Sequence, residues 1–261
     1  MEKVEKLALS LGKDSTTIAL KSKEKGINYK EYIFADTLYE FPELYEYLKI
    51  IEKDLGQKIT ILKPSYTIEE WMKKKVTRGK HKGEFRGFPL KFFPCAFMRD
   101  TKMIPIDKQA KECILSIGYA SDETKRVQKK KNLRYPLIEW NMSENQCAKF
   151  LNSKSKLNPL YTNFNRLGCY FCPKQDDSAL YVVWKLYPKF WKHMKELNQL
   201  NIKLGCNFIP YGDKHLGLEY LEKQFKKGWI PKKKPKYECF ECKGVSKAFK
   251  DELTLNDFCQ F

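Results

Sequence analysis

Short apolar blocks alternate with longer amphipathic segments through the first half of the chain. The run LALSL (7–11) is apolar almost throughout and predicts a buried strand, while residues 14–25 predict a helix closed by Gly26, a residue suited to the turn past a helix end. The pattern repeats with a strand at YKEYIFA (29–35), a helix at 41–55 followed by Gly56, and a strand at KITIL (58–62). A short helix at 68–75 leads into residues 76–94, which carry glycine, lysine and aromatics without clear period and read as a long functional loop. A helix at 107–111, strands at CILSIGY (113–119) and YPLIEW (135–140), and a helix at 143–151 complete the series. Strands alternating with helices imply a parallel sheet of the α/β class, flanked by helices. From residue 158 the character shifts to turns, cysteines and amphipathic helices, the longest at 179–200, where Pro188 should kink or divide it. The expected organisation is an α/β domain over 1–157 and a smaller, mainly helical, cysteine-containing part over 158–261.

Composition narrows this picture. The 261 residues are 42% hydrophobic, and no stretch approaches the roughly 18 consecutive apolar residues of a membrane span, so no membrane partner is expected. The start, MEKVEKLALSLGKDS, lacks the basic-then-apolar pattern of a secretory leader, which predicts a cytoplasmic location. Nine cysteines in that compartment read as thiols, metal ligands or catalysts rather than disulfides. With 50 Lys and Arg against 32 Asp and Glu, the net charge of +18 favours a polyanionic partner, although a lysine-rich composition produces the same excess without one. The short basic runs 129–131 and 232–236 read as solvated surface.

The segment SLGKDS (10–15) joins the first strand to the first helix, so it lies at the carboxyl edge of the sheet, where open α/β folds bind ligands. Backbone N–H groups and the helix N-terminus both point toward anionic oxygens there. Gly12 lets the backbone approach, Lys13 adds positive charge, Ser10 and Ser15 donate hydrogen bonds, and Asp14 either caps the helix or holds Mg²⁺. The same Asp and Ser are also ordinary helix-start residues. The loop is too short for a Walker A motif and lacks GxGxxG.

This loop resembles the SGGKDS phosphate loop of the PAPS reductase-like branch of the adenine nucleotide alpha hydrolases, also called N-type ATP pyrophosphatases, with Leu11 at the first glycine. FADT (34–37) followed by EFPE (40–43) resembles that family's DTG-x-EFPE segment. RDTK (99–102) with Pro105 is similar to its cysteine-preceded RD-x-K-x-x-P stretch, and GYASDETKR (118–126) to GIRADESxR, with Ala120 at the usual arginine. The similarity continues through YPLIEW and NPLY (158–161) to RLGCYFCP (166–173). The resemblance implies a Rossmann-like, HUP-type fold. It also implies ATP or PAPS bound by Ser10, Gly12, Lys13, Asp14, Ser15, Asp36, Thr37, Glu40 and Gly118, with Lys13, Asp14, Lys102 and Arg126 catalytic. Read without it, Asp36 and Thr37 form a turn, and Glu40 is an acid favoured by the helix dipole.

Cys169/Cys172 and Cys239/Cys242 form two C-x₂-C pairs, which resemble a four-thiolate site for Zn²⁺ or an iron–sulfur cluster. In cluster-bearing relatives a cysteine ahead of RD-x-K joins the GC-x₂-CP pair, and Cys95 stands near that place. The expected ligands of a [4Fe–4S] cluster are therefore Cys95, Cys169, Cys172 and one of Cys239 or Cys242; Zn²⁺ on the two pairs is the alternative. Cys113, Cys147 and Cys206 read as small buried hydrophobes. His81, His193 and His215 form no ligand cluster in sequence and read as surface or packing.

Three functions follow as expectations. The first is adenylation of a substrate oxygen by ATP with Mg²⁺, preparing it for displacement by sulfur from a donor protein such as a cysteine desulfurase; the acceptor is DNA, tRNA or a small molecule. The second is reduction of PAPS or APS, for which Glu238-Cys239 and Glu241-Cys242 supply part of an ECG-x-H signature but neither its glycine nor its histidine. The third is a non-catalytic nucleotide- or nucleic-acid-binding protein, for which aromatics among basic residues at 82–93 and 225–237 would stack bases.

Overall fold

The computed structural model describes residues 4–89, 95–128, 130–206, 211 and 217–232. Five strands, β1 (Glu5–Ala8), β2 (Glu31–Ala35), β3 (Ile59–Leu62), β4 (Ile114–Ser116) and β5 (Leu133–Arg134), pair in the order β3-β2-β1-β4-β5. All four pairings are parallel, and Leu7 of the central strand stands opposite Tyr32 on one side and Ser116 on the other. The chain builds outward from β1 to β3, then crosses back to place β4 on the other side of β1. The strand order therefore reverses between β1 and β4, and the crevice beyond their carboxyl ends is where such sheets take ligands.

Helices α1 (Lys13–Glu24) and α2 (Pro42–Leu55) follow β1 and β2. α1 is buried on nearly every face, against α2 and α7 (Glu144–Ser153), and so shows little amphipathic pattern. Gly56 closes α2 at φ 70°, its N–H donating to the Glu52 carbonyl, a left-handed cap that costs glycine nothing. Full capping boxes start α3 (Ile68–Met72), through Thr67 and Glu70, and α7, through Ser143 and Gln146.

Residues 96–109 form a helical stretch made of α4 (Ala96–Met98), a π-turn (Arg99–Met103) and α5 (Ile104–Gln109). The expected helix at 107–111 thus begins earlier and ends earlier. Residues 135–140 are not the fifth strand: Pro136 opens α6 (Pro136–Glu139), and the pairing with β4 falls on Leu133 and Arg134 just before it. An apolar, aromatic run is ambiguous between strand and helix, and proline at the first helical position decides it here. The expected loop at 76–94 also carries order, because Lys75 and Phe85 form an antiparallel bridge.

The C-terminal part holds α8 (Asp177–Leu186), α9 (Pro188–Lys203) and α10 (Gly217–Lys226), with Pro188 separating α8 from α9. One apolar cluster runs from Leu7, Leu9 and Ile18 to Leu180, Trp191 and Leu197. Its aromatic centre includes Tyr39, which meets Phe171 edge-on at 5.0 Å, and Tyr170, which stacks on Phe190 at 4.1 Å. Such pairs add about 0.5–1.5 kcal/mol each beyond their burial. Among the described residues no helix is long and apolar enough to cross a membrane.

Leu7 is fully buried, whereas Ile61 on the outer strand is 42% exposed. Leu7→Ala should cost about 2–5 kcal/mol in urea unfolding, and Ile61→Ala well under half of that. Equal costs would contradict the placement of β1 at the centre of the sheet.

Candidate nucleotide site and cysteine cluster

After Ala8 the chain turns through Ser10 and Leu11, and Gly12 caps α1. Leu11 adopts φ 60° with its side chain fully buried. A left-handed conformation costs a non-glycine residue about 1–2 kcal/mol, and burying a leucine returns about 1.5–3 kcal/mol. The backbone shape that a glycine would adopt freely is therefore kept by an apolar side chain seated in the core.

Distant residues fix this turn. Asn158 Nδ2 donates to the Leu11 carbonyl at 3.1 Å, and the Lys13 N–H donates to the Tyr161 hydroxyl at 3.1 Å. The Ser10 N–H donates to Ser15 Oγ at 3.1 Å, the two serine hydroxyls lie 3.0 Å apart, and Ser15 Oγ donates to the Gly12 carbonyl at 3.3 Å. Gly118, beyond β4, approaches so closely that a Cβ there would stand 2.9 Å from the Ser15 backbone nitrogen. The structure thus brings Ser10, Gly12, Lys13, Asp14, Ser15 and Gly118 together at the strand-order reversal.

Lys13 is buried, its Nζ 3.3 Å from Glu144 and 3.9 Å from Asp14. Burial works against its charge, but Tyr161, Asp14 and Glu144 outweigh it and raise the pKa, so Lys13 is a cation. Carboxylate oxygens of Asp14, Glu123 and Glu144 all lie within 4.8 Å of one another. Asp14 Oδ1 is buried without a hydrogen-bond partner. Its pKa rises from 3.8 to about 7 through burial; Lys13 pulls it down, while Glu144, Glu123 and Asp122 push it up. Three carboxylates with an unsatisfied oxygen suit a hard divalent cation. Arg126 adjoins this group, bonded to Glu123 at 2.6 Å with its guanidinium 4.3 Å from the Tyr119 ring centre. Ala120 is fully buried, so position 120 offers no side chain to a ligand.

A second group forms at the end of β2. Asp36, buried, accepts from the Leu38 N–H at 2.7 Å and from the Tyr45 hydroxyl at 3.0 Å. Thr37 Oγ1 donates to Glu40 at 3.0 Å and lies 3.3 Å from Cys169 Sγ. Lys102 donates to Glu40 at 2.7 Å; burial opposes its charge, but Glu40, Cys169 and Asp36 raise its pKa. Burial, with Glu40, pushes the Cys169 thiol well above the usual thiol range, against the opposing pull of Lys102.

Cys169 and Cys172 belong to a turn in which the Cys172 N–H donates to the Cys169 carbonyl at 2.9 Å. Cys95 starts α4, accepting from the Met98 N–H at 3.3 Å, and is close enough to feel the charge of Cys172. Burial is the main cause of its raised pKa. Cys239 and Cys242 lie outside the described residues, as do Cys259 and His215. Cys147 is a buried thiol within α7, pushed up to about 12 by burial and by Asp14. His81 pairs with Glu84 at 3.0 Å, and His193 joins the Tyr170 hydroxyl at 2.7 Å to Glu69 at 2.6 Å.

Four residues of this geometry gave no functional signal in the sequence. Glu144 carried no sequence reading, Glu123 stood in the GYASDETKR segment without a role of its own, and nothing local links either to Lys13. Asn158 and Tyr161 were visible only as part of an NPLY resemblance, with no role attached.

The pKa of Asp14 yields a pH test. A carboxyl that binds its proton more tightly when folded favours the folded state below pH about 4, and that advantage is lost as pH rises through about 7. In metal-free buffer, Asp14→Asn should match the wild-type unfolding temperature near pH 4 and exceed it increasingly up to pH about 7. A constant difference across that range would remove the inference.

The model of the family described as "Phosphoadenosine phosphosulfate reductase domain" matches residues 6–175. An uncharacterized protein of Methanocaldococcus jannaschii is 26% identical over 256 residues, an alignment covering 88% of this chain and 46% of that protein. The chain therefore spans just under half the length of that relative. A crystal structure of phosphoadenylyl-sulfate (PAPS) reductase from Candida auris, in complex with phosphate, superposes with a TM-score of 0.45 at 17% identity, over 65% of this chain and 82% of that one. With the family match spanning well over half its length, the chain belongs to the PAPS reductase-like family of the adenine nucleotide alpha hydrolase superfamily.

Proposed function

We propose that the chain binds ATP over the β1–α1 loop and adenylates an acceptor oxygen, releasing pyrophosphate and preparing the acceptor for attack by sulfur. The observation that carries this reading is the placement of Lys13 beside Asp14, Glu123 and Glu144. The start of α1 presents the Lys13 ammonium for phosphate oxygens, and three segments converge there with Asp14, Glu123 and Glu144 as carboxylates for Mg²⁺, which when bound would offset triphosphate charge.

The rest is positioning. The N-terminus of α1 and the Lys13 ammonium hold the phosphates, and Gly118 admits them by leaving the loop uncrowded. The acceptor oxygen bonds to the α-phosphorus as the bond to the β-phosphate oxygen breaks, and pyrophosphate leaves with that electron pair. Lys102, fixed by Glu40, and Arg126, fixed by Glu123, are the further cations. A sulfur nucleophile, delivered by a donor such as a cysteine desulfurase, then bonds to the acceptor carbon as AMP departs with the oxygen.

Cys95, Cys169 and Cys172, with one of Cys239 or Cys242, would hold a [4Fe–4S] cluster; Zn²⁺ on the two pairs is the alternative. Support comes from the Cys169–Cys172 turn, which sets two free thiols on one short loop closed by the Cys172 N–H to Cys169 carbonyl bond. Either metal would stabilise the thiolates of Cys95 and Cys169, which burial otherwise keeps protonated. The cluster would supply a sulfur- or electron-handling centre.

Sulfonucleotide reduction is the second reading, favoured by a cysteine sulfur 3.3 Å from Thr37 at the end of β2. Two assays separate them. Pyrophosphate release from ATP with Mg²⁺ and an acceptor should fall about 10²-fold or more in Lys13→Ala; sulfite release from PAPS with a thiol donor, and no pyrophosphate from ATP, would overturn adenylation in favour of reduction. An anaerobic preparation should be brown and bleached by dithionite, with iron lost in Cys169→Ala. A colourless, iron-free preparation would refute the cluster.

A further inference from the structure

After α3, residues 73–86 form a basic finger. Its two arms are laced by Arg86 N–H to Lys74 O at 2.9 Å, Val76 N–H to Glu84 O at 2.9 Å and Gly83 N–H to Val76 O at 2.9 Å, around the Lys75–Phe85 bridge. Gly79 and Gly83, at φ 81° and 89°, turn the tip, where Lys82 N–H donates to Gly79 O at 3.1 Å. Lys73, Lys74, Lys75, Arg78, Lys80 and Lys82 are all exposed on it. The carboxylate among residues 73–86 is Glu84, which pairs with His81. Among the described residues, none of those six cations has an ion-pair partner.

Holding like charges together on a short ordered segment opposes folding and leaves a positive field directed at solvent. The finger is also anchored. At its base Arg86 bonds Asp100 at 2.5 Å, Trp71 Nε1 donates to the same carboxylate at 3.0 Å, and the Phe88 N–H donates to Asn201 Oδ1 at 2.7 Å. Asp100 is two residues from Lys102, the cation bonded to Glu40.

We propose that this finger docks the phosphate backbone of a nucleic-acid strand beside the candidate site. Its chemistry selects that partner. Between residues 73 and 84 the apolar side chain is Val76, half-buried, so the finger offers nothing to insert into a lipid surface and no apolar centre for a protein interface. Lys74 Nζ lies 3.6 Å from the Tyr66 ring centre and Lys75 Nζ 3.5 Å from that of Phe85. Those rings are covered by ammonium groups, which suits recognition of phosphates rather than base stacking. The proposal names the acceptor class for the proposed reaction and rests on that reading for the reaction alone, not for the binding.

The test is fluorescence anisotropy with labelled single-stranded RNA, folded RNA and duplex DNA, without nucleotide, over a range of salt. The full chain is compared with an Arg78→Gln/Lys80→Gln/Lys82→Gln variant and with Lys49→Gln/Lys53→Gln/Lys58→Gln, which removes equal charge from α2 and its end. The finger variant should bind at least tenfold more weakly, with the salt slope reduced by about 2–3, while the second triple changes less than threefold and both variants unfold cooperatively well above the assay temperature. Whichever nucleic acid binds most tightly through the finger identifies the partner as RNA or DNA. Equal losses in the two triples, no loss in the finger variant, or finger-dependent binding to phosphatidylserine vesicles but not to nucleic acid would each overturn the proposal. Because no nucleotide is present, failure of the adenylation reading leaves this result intact, and failure here leaves pyrophosphate release untouched.

Discussion

The direction in which α1 leaves the sheet is set by one backbone turn, at Leu11. Its left-handed conformation leads into Gly12 and the first turn of α1, and three separate parts of the chain hold it there. Asn158 takes the Leu11 carbonyl, Tyr161 takes the next free N–H, and the core takes the leucine side chain. Residues that chain order places far apart are thereby committed to one loop.

Around that loop, charge rather than packing distinguishes the two side-chain groups. At α1, one ammonium faces three carboxylates, and burial leaves Asp14 poised near neutrality. At the end of β2, Lys102 faces Glu40, Asp36 and a buried thiol. In the first group Asp14 Oδ1 is buried without a hydrogen-bond partner, even though Arg126 answers Glu123. In the second, burial keeps the thiol protonated. Tyr170, between the two cysteines of the GCYFCP turn, ties that turn through His193 to Glu69 on α3, so the cysteines share a hydrogen-bonded framework with the nucleotide-binding half.

Much of this was legible in the sequence. Strand and helix periods located β1 to β4 because each element buries an apolar face, and Pro188 separated α8 from α9 because no helix interior accommodates its ring. Lys13, Asp14 and Gly118 were recognisable from local motifs. What was not legible depended on pairing across distance. The segment 135–140 carried strand-like residues, but the edge pairing needed just two residues ahead of it, and proline then started a helix. Nothing local set Glu144 apart until folding placed it against Lys13. The finger showed no period because a single bridge and a few backbone bonds define it.

The excess of carboxylates over ammonium groups at the mouth of α1 bears on what can enter. An anion cradle that is itself negative repels a bare phosphate before its N–H groups can hold it. On the function proposed above, entry would favour an anion that brings compensating charge, either a proton on Asp14 or a cation already bound to the phosphates. The loop would then work as a coincidence detector, in which each of two oppositely charged guests makes room for the other.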